Sequence, residues 1–336
     1  MHPNRPDPPN LARHPVTDDM SGGTTFLEQA RFPSNPGRVI AIDWSGAMQG
    51  GHRKIWIAEA IDGVVVRLEN GRTRGAVFDH LITLASIDPH FVVGFDFAFG
   101  MPMWFARDRN ISTIADLWRH VGAIGESWLA SCDPPFWGKP GKLRPADTPH
   151  HLRCTDRAIA SIGGSQPKSV FQIGGAGAVG TGSLRGMPGL ATLRDAGFSV
   201  WPFDPPAWPR VIEIYPRCFT GPVVKSDPHA RDGWLATHAS PTPRLQGAAL
   251  DAPPEPRLQG ASLGLAHHLG IPSFRPDIER LARDSEDAFD AAISAAAMWK
   301  HRASLASLVP TTDPTLLLEG WIWDPRHPMP TGTPTA

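Results

Sequence analysis

The amino-acid sequence predicts an α/β protein built on a mixed sheet, three antiparallel strands followed by parallel strands, with helices on its faces and a large insertion. Three observations predict this. Two apolar runs, RVIAIDWSG (38–46) and HFVVGFDFAFG (90–100), each close on an aspartate and a glycine turn. Between them lie two β-rich runs joined by Asp62-Gly63, a strong hairpin signal. Farther on, an alanine-rich stretch has the small residues that let a helix lie close against a sheet.

In order along the chain, residues 1–36 are proline-rich and polar without periodicity, and read as a disordered leader. A first strand is expected from Arg38. KIWIAEAI (54–61) and GVVVRLE (63–69) complete three consecutive antiparallel strands. Residues 74–86 have helical apolar spacing and end at Asp88-Pro89. A buried strand follows, ending near Asp96. Residues 100–208 are too long for a loop and read as an insertion with its own elements. Within it, 111–131 predicts a helix, 171–189 is glycine-rich, and 190–198 predicts a short helix. The segment Arg185-Gly186-Met187-Pro188 is expected to interrupt any helix there.

PRVIEIYP (209–216) predicts a further strand with Glu213 inside it. A second insertion is expected at about 226–275. It contains PRLQGA twice, at 243–248 and 256–261, which reads as a duplicated surface loop because two copies cannot build a solenoid. One long helix is expected from Asp277 to Ser307, with a break near Asp284. Residues 309–336 read as an irregular tail in which Trp321 and Trp323 dock back. The main domain is thus placed at 37–308.

Composition narrows the function. Net charge is −1, so no whole-chain basicity marks a nucleic-acid binder, although phosphate binding needs only a local positive field. The three cysteines, Cys132, Cys154 and Cys218, have no close pairing spacing, which argues against a disulfide framework and a cysteine zinc site and for a reducing compartment. No run of 18 apolar residues marks a membrane span, and the N-terminus lacks the apolar stretch of a secretory signal; the expected location is the cytoplasm. The oligomeric state is left open. The twelve tryptophans, beside the single Tyr215, read as core.

The acidic residues carry the chemistry. Burying an unpartnered carboxylate costs several kcal/mol, so a strand such as AIDWSG or GFDFAFG needs a reason to carry Asp43 or Asp96. Glu213 stands similarly in VIEIYP. Asp287 and Asp290, three apart, share one helix face. Oxygen donors of this kind suit Mg²⁺ or Mn²⁺. The expectation is a divalent-metal site held by Asp43, Asp96, Asp287 and Asp290. Glu213 joins these four in the catalytic set, as a ligand or as the residue orienting water. Singly, each has a plainer reading: a turn cap for the strand-end aspartates, dipole compensation for Asp287 and Asp290, and a pairing with Arg217 for Glu213. Lys139, Arg144 and Arg217 are candidates for substrate phosphate contacts, against a solvated loop for the first two. GGAGAVGTG (174–182) formally contains GxGxxG but lacks the lysine of a phosphate loop, and reads as a flexible or substrate-facing loop. The pairs His150-His151 and His267-His268 lack the spacing of a helical zinc site.

The motifs DWSGA, GFDFAFG, VIEIYPR and EDAFDAAISAAAMW, in this order, resemble the domain of unknown function 429 family, predicted ribonuclease H-like nucleases, over about residues 38–305 outside the duplicated loop. FQIGGAGAVGTGSLRGMP fits the same resemblance. It implies a ribonuclease H-like fold with acids on the first strand, at the end of the fourth strand and on the last helix, which Asp43, Asp96 and the pair Asp287 and Asp290 match. Glu213 falls on a fifth strand where that pattern demands no acid. The implied activity is metal-dependent hydrolysis of phosphodiester bonds in DNA or RNA. Two rivals remain from the sequence: a phosphotransferase or ATPase of the related actin and sugar-kinase fold, and a nucleic-acid-binding protein without catalysis.

Overall fold

A computed structural model describes residues 35–148, 150–161, 166–238 and 273–330. The first strand, β1 (Arg38–Asp43), is followed by a single helical turn, α1 (Gly51–Lys54), and by the hairpin β2 (Trp56–Ile61) and β3 (Val64–Glu69). Asp62 and Gly63 make the hairpin turn with positive φ at both positions, the backbone that Asp-Gly favours. Helix α2 (Arg74–Ile87) leads to β4 (Phe91–Phe95), then come α3 (Met103–Arg107), α4 (Ile114–Ser131), α5 (Cys154–Ser161) and α6 (Val179–Asp195). The chain returns through β5 (Ser199–Val200) and β6 (Arg210–Glu213), followed by α7 (Arg217–Thr220) and α8 (Pro228–His238). Last are β7 (Ser273–Phe274), α9 (Pro276–Asp284), α10 (Glu286–Lys300), α11 (Arg302–Ala306) and α12 (Leu316–Glu319).

Among the described residues the strands form one seven-stranded mixed sheet in the order β5-β6-β4-β1-β2-β3-β7. β1 runs antiparallel to β2 and β2 to β3, whereas β1–β4, β4–β6, β5–β6 and β3–β7 are parallel. The pleat sorts side chains by parity. Ile40, Ile42, Val93, Phe95 and Val211 face a core made with α2, α4 and α6. Val39, Ala41, Val92, Ile212 and Ile214 face the core of the other side, made with α9, α10 and α11. The alanines of α10 let it come very close. A Cβ on Gly94 of β4 would stand 2.8 Å from Ile214 Cγ2 and 2.9 Å from Met298 Sδ.

Three expectations are revised. Helix α6 runs straight through Pro188. Pro188 withholds a hydrogen bond from the Leu184 carbonyl, at a cost of about 3 kcal/mol. Packing outweighs this: Gly122 and Gly125 on α4 leave room for Pro188 and Leu184, and Gly186 and Gly189 of α6 lie flat on the rings of Phe97 and Phe78. The expected long C-terminal helix is three helices, broken at Ser285 and His301. The stretch 100–208 carries elements of its own, of which α4 and α6 cover one face of the sheet and β5 extends its edge. The tail holds α12 and returns to the core, with Trp321 and Trp323 both 3% exposed and the Trp323 N–H donating to the Glu213 carbonyl at 2.9 Å. All three cysteines are free. No described helix is long and apolar enough to cross a membrane. The duplicated loop, His267-His268 and all but the last two residues of the expected leader lie outside the described residues.

Candidate metal and active site

β1 and β4 are adjacent and parallel, with Ile42 opposite Phe95. One step on, Asp43 and Asp96 leave the sheet side by side, with the parity of Val39, Ala41 and Val92 and therefore on the face that α10 covers. Helix α10 begins at that same end. Ser285 caps it by accepting the Ala288 N–H at 3.2 Å. Asp287 lies in its first turn, where the helix dipole favours an anion, and Asp290 lies one turn deeper at 3% exposure. The four aspartates, spread over nearly 250 residues of chain, thus come within electrostatic reach of one another.

Their protonation reflects this crowding. Burial, and then the charges of Asp96, Asp290 and Asp287, push the Asp43 carboxyl well above the usual aspartate range. Burial does the same to Asp96, against the Trp44 N–H, which donates to its Oδ1 at 2.5 Å. Burial pushes Asp290 up to about 6 even though Lys225 opposes it. Asp287 is raised as well, by burial and then by Glu286.

The loop after β1 is rigidly held. Arg74 donates to the carbonyls of Ser45 at 3.2 Å and Ala47 at 3.0 Å, and Arg185 donates to that of Gly46. Arg185 is itself fixed by a two-pronged pair with Glu126, at 2.7 and 2.8 Å. Trp44 Nε1 donates to the Gly182 carbonyl at 3.1 Å, and a Cβ on Gly46 would stand 2.5 Å from Gly182 N. The first turn of α6, and with it the glycine-rich run that leads into it, therefore abuts the Asp43 loop.

Lys225 is the cation that sequence reasoning missed. Its Nζ donates to Asp290 Oδ2. Burial works against the Lys225 ammonium, but the carboxylates of Asp290, Asp43 and Asp96 outweigh it and hold its pKa above the ordinary value. A single lysine in a loop, GPVVKSDP, carries no pattern that sets it apart from surface lysines.

Glu213 does not join the cluster. Ile212 and Ile214 face α10, so Glu213 between them points through the opposite face. There Arg153 grips it with two bonds of 2.6 and 2.8 Å and also binds Asp156 at 2.9 Å, while the Phe99 N–H donates to Glu213 Oε2 at 2.9 Å. The expected pairing with Arg217 is absent. Arg217 instead donates to the carbonyls of Gly221 and Val223, with its charge still felt at Asp290. Lys139 bonds the Ala130 carbonyl at the end of α4 at 3.2 Å. Arg144 contacts His151 at 3.1 Å on the rim of a cavity of about 560 Å³ that Trp137, Lys168 and Gln172 also line.

The donor chemistry fits a hard divalent cation: oxygen only, an excess of negative charge, and a buried Asp290 Oδ1 that has no hydrogen-bond partner. Among the described residues no three acidic, histidine or cysteine side chains already converge closely enough to hold a metal ion. Lys225 supplies part of the missing positive charge instead. Comparison with protein-family models, curated proteins and solved structures returned no match.

Proposed function

We propose that this chain is a ribonuclease H-like phosphodiesterase of the domain of unknown function 429 type, acting on nucleic acid with Mg²⁺ or Mn²⁺. The observation that carries the reading is that Asp43, Asp96, Asp287 and Asp290 gather within electrostatic reach of one another at one sheet end, with a partnerless buried oxygen on Asp290. The strand order β3-β2-β1-β4-β6, antiparallel and then parallel, supports it, because it puts acids on the first strand, at the end of the fourth and on the last long helix.

In this reading Asp43, Asp96, Asp287 and Asp290 hold the ion. When bound, it lowers the pKa of a water and neutralises charge developing on the phosphate. The Trp44 N–H fixes the rotamer of Asp96, and Arg74 and Arg185 keep the Asp43 loop from yielding to carboxylate repulsion. Arg217, whose charge reaches Asp290, would meet a phosphate. A separate cavity lined by Arg144, Lys168 and Trp137 would offer a nucleic-acid strand cationic side chains and a surface for a base.

The test is cleavage of single-stranded, duplex and branched DNA and RNA by purified protein, in Mg²⁺ or Mn²⁺ and in EDTA. Asp43→Asn keeps the size of the side chain and removes its charge, and should abolish metal-dependent cleavage while the protein stays folded. Undiminished cleavage by that variant sinks the reading. ATP hydrolysis lost on Asp43→Asn, without any cleavage, would favour the kinase-like rival. Salt-sensitive binding without either reaction would favour a non-catalytic binding protein.

A further inference from the structure

We propose that Lys225 serves as the second cation of this centre: the cluster would take one divalent ion, and the Lys225 ammonium would supply charge that a second ion would otherwise bring. This rests on the metal-dependent reading above and specifies how many ions it involves.

Two observations carry it. The first is how Asp290 is divided. Its Oδ2 accepts from Lys225 Nζ, while its Oδ1 is buried and partnerless, so one oxygen is committed to the ammonium and one is left for an ion. The second is that Lys225 is held in place. Its own carbonyl accepts from the Arg231 guanidinium, and Arg231, 4% exposed, also donates to the Arg283 carbonyl at 2.9 Å. On the other side, Arg217 ties down Gly221 and Val223 just before it in the chain. A flexible surface lysine loses rotamer entropy when it forms an ion pair, but here the backbone has already been fixed around it.

The charge count agrees. Four ionised aspartates carry −4, and Lys225 with one divalent ion brings the centre to −1. A second divalent ion would have to sit against a fixed ammonium, and the repulsion between like charges at such range is several-fold stronger than in bulk water. An ammonium offers three donors and a compact charge, enough to steady a developing oxyanion on a leaving group without a second metal.

The experiment is Mn²⁺ titration of the full chain by calorimetry, with electron paramagnetic resonance of the loaded protein to detect coupled ion pairs. The variants are Lys225→Ala and Lys225→Arg, and thermal melts show that each is folded. The wild type should bind one ion per chain, Lys225→Arg one, and Lys225→Ala two, with a coupled spectrum. Cleavage by Lys225→Ala should fall about a hundredfold at low Mn²⁺, the scale of losing one positioned charge, and recover as the second ion fills. Two ions in the wild type, or one ion and full activity in Lys225→Ala, would overturn the inference and leave the metal reading standing. Failure of every variant, wild type included, to bind Mn²⁺ would overturn both.

Discussion

Asp43 and Glu213 each close an apolar strand, yet they leave the sheet on opposite faces. The sequence shows that both positions are costly for an acid, which makes each legible as special. Which face each takes depends on parity relative to a neighbouring strand, and that register is set by pairings no single segment contains. Glu213 is consequently a structural ion-pair partner. Glu213→Gln takes one of two carboxylates from the buried Arg153, which keeps Asp156, so it should cost about 1–3 kcal/mol in urea unfolding while Mn²⁺ affinity stays unchanged. Intact stability with lost Mn²⁺ binding would return Glu213 to the metal centre. The aspartates behave in the opposite sense. Their folded-state pKa values lie above the unfolded ones, so the folded protein holds extra protons and is stabilised at low pH. That contribution disappears as pH rises from the ordinary value of 3.8 through about 6 for Asp290. In EDTA the melting temperature of the wild type should therefore fall relative to that of Asp290→Asn between pH 4 and 7. Mg²⁺ or Mn²⁺ at pH 7 should reverse the order. Parallel melting curves across that range would show that the carboxylates do not repel one another.

At the scale of the element, α6 shows why local rules misread this chain. Pro188 and four glycines in seventeen residues make a poor helix by propensity. The same small residues are what let α6 sit against α4 and on the aromatic rings beneath it, and this tertiary gain is invisible in the segment alone. Gly189→Ala tests it: a Cβ there runs into the Phe78 ring, and overpacking of this kind costs about 1–3 kcal/mol. Because Phe78 packs on Trp44, the same variant should also loosen the Asp43 loop, readable as faster amide exchange over residues 44–47. A stability change under 0.5 kcal/mol would mean that the ring swings aside freely. Helix α10 was legible for the opposite reason. Its alanines and its Asp287–Asp290 spacing pointed to a helix packed close on a sheet with both acids on one face, although Ser285, which caps it, was read as lying inside one longer helix.

For the whole molecule, the central order of strands was readable from the hairpin and the strand-end aspartates, whereas the edges were not. β5 and β7 are two residues each, too short for any alternation to register, and exist only because β6 and β3 offer them free edges. The tail was half legible: its tryptophans announced burial, but its proline content hid α12. The separation of the four aspartates along the chain has a kinetic consequence. Asp43 and Asp96 meet Asp287 and Asp290 only after β1, β4 and α10 have assembled, and contacts spanning so much chain form late because loop closure must precede them. A cation that bridges them has little to grip in the folding transition state and a great deal in the native state. It should accordingly act as a latch: in stopped-flow experiments Mn²⁺ should slow the unfolding limb of the chevron and leave the folding limb where it was. A faster folding limb would place the aspartates together in the folding nucleus.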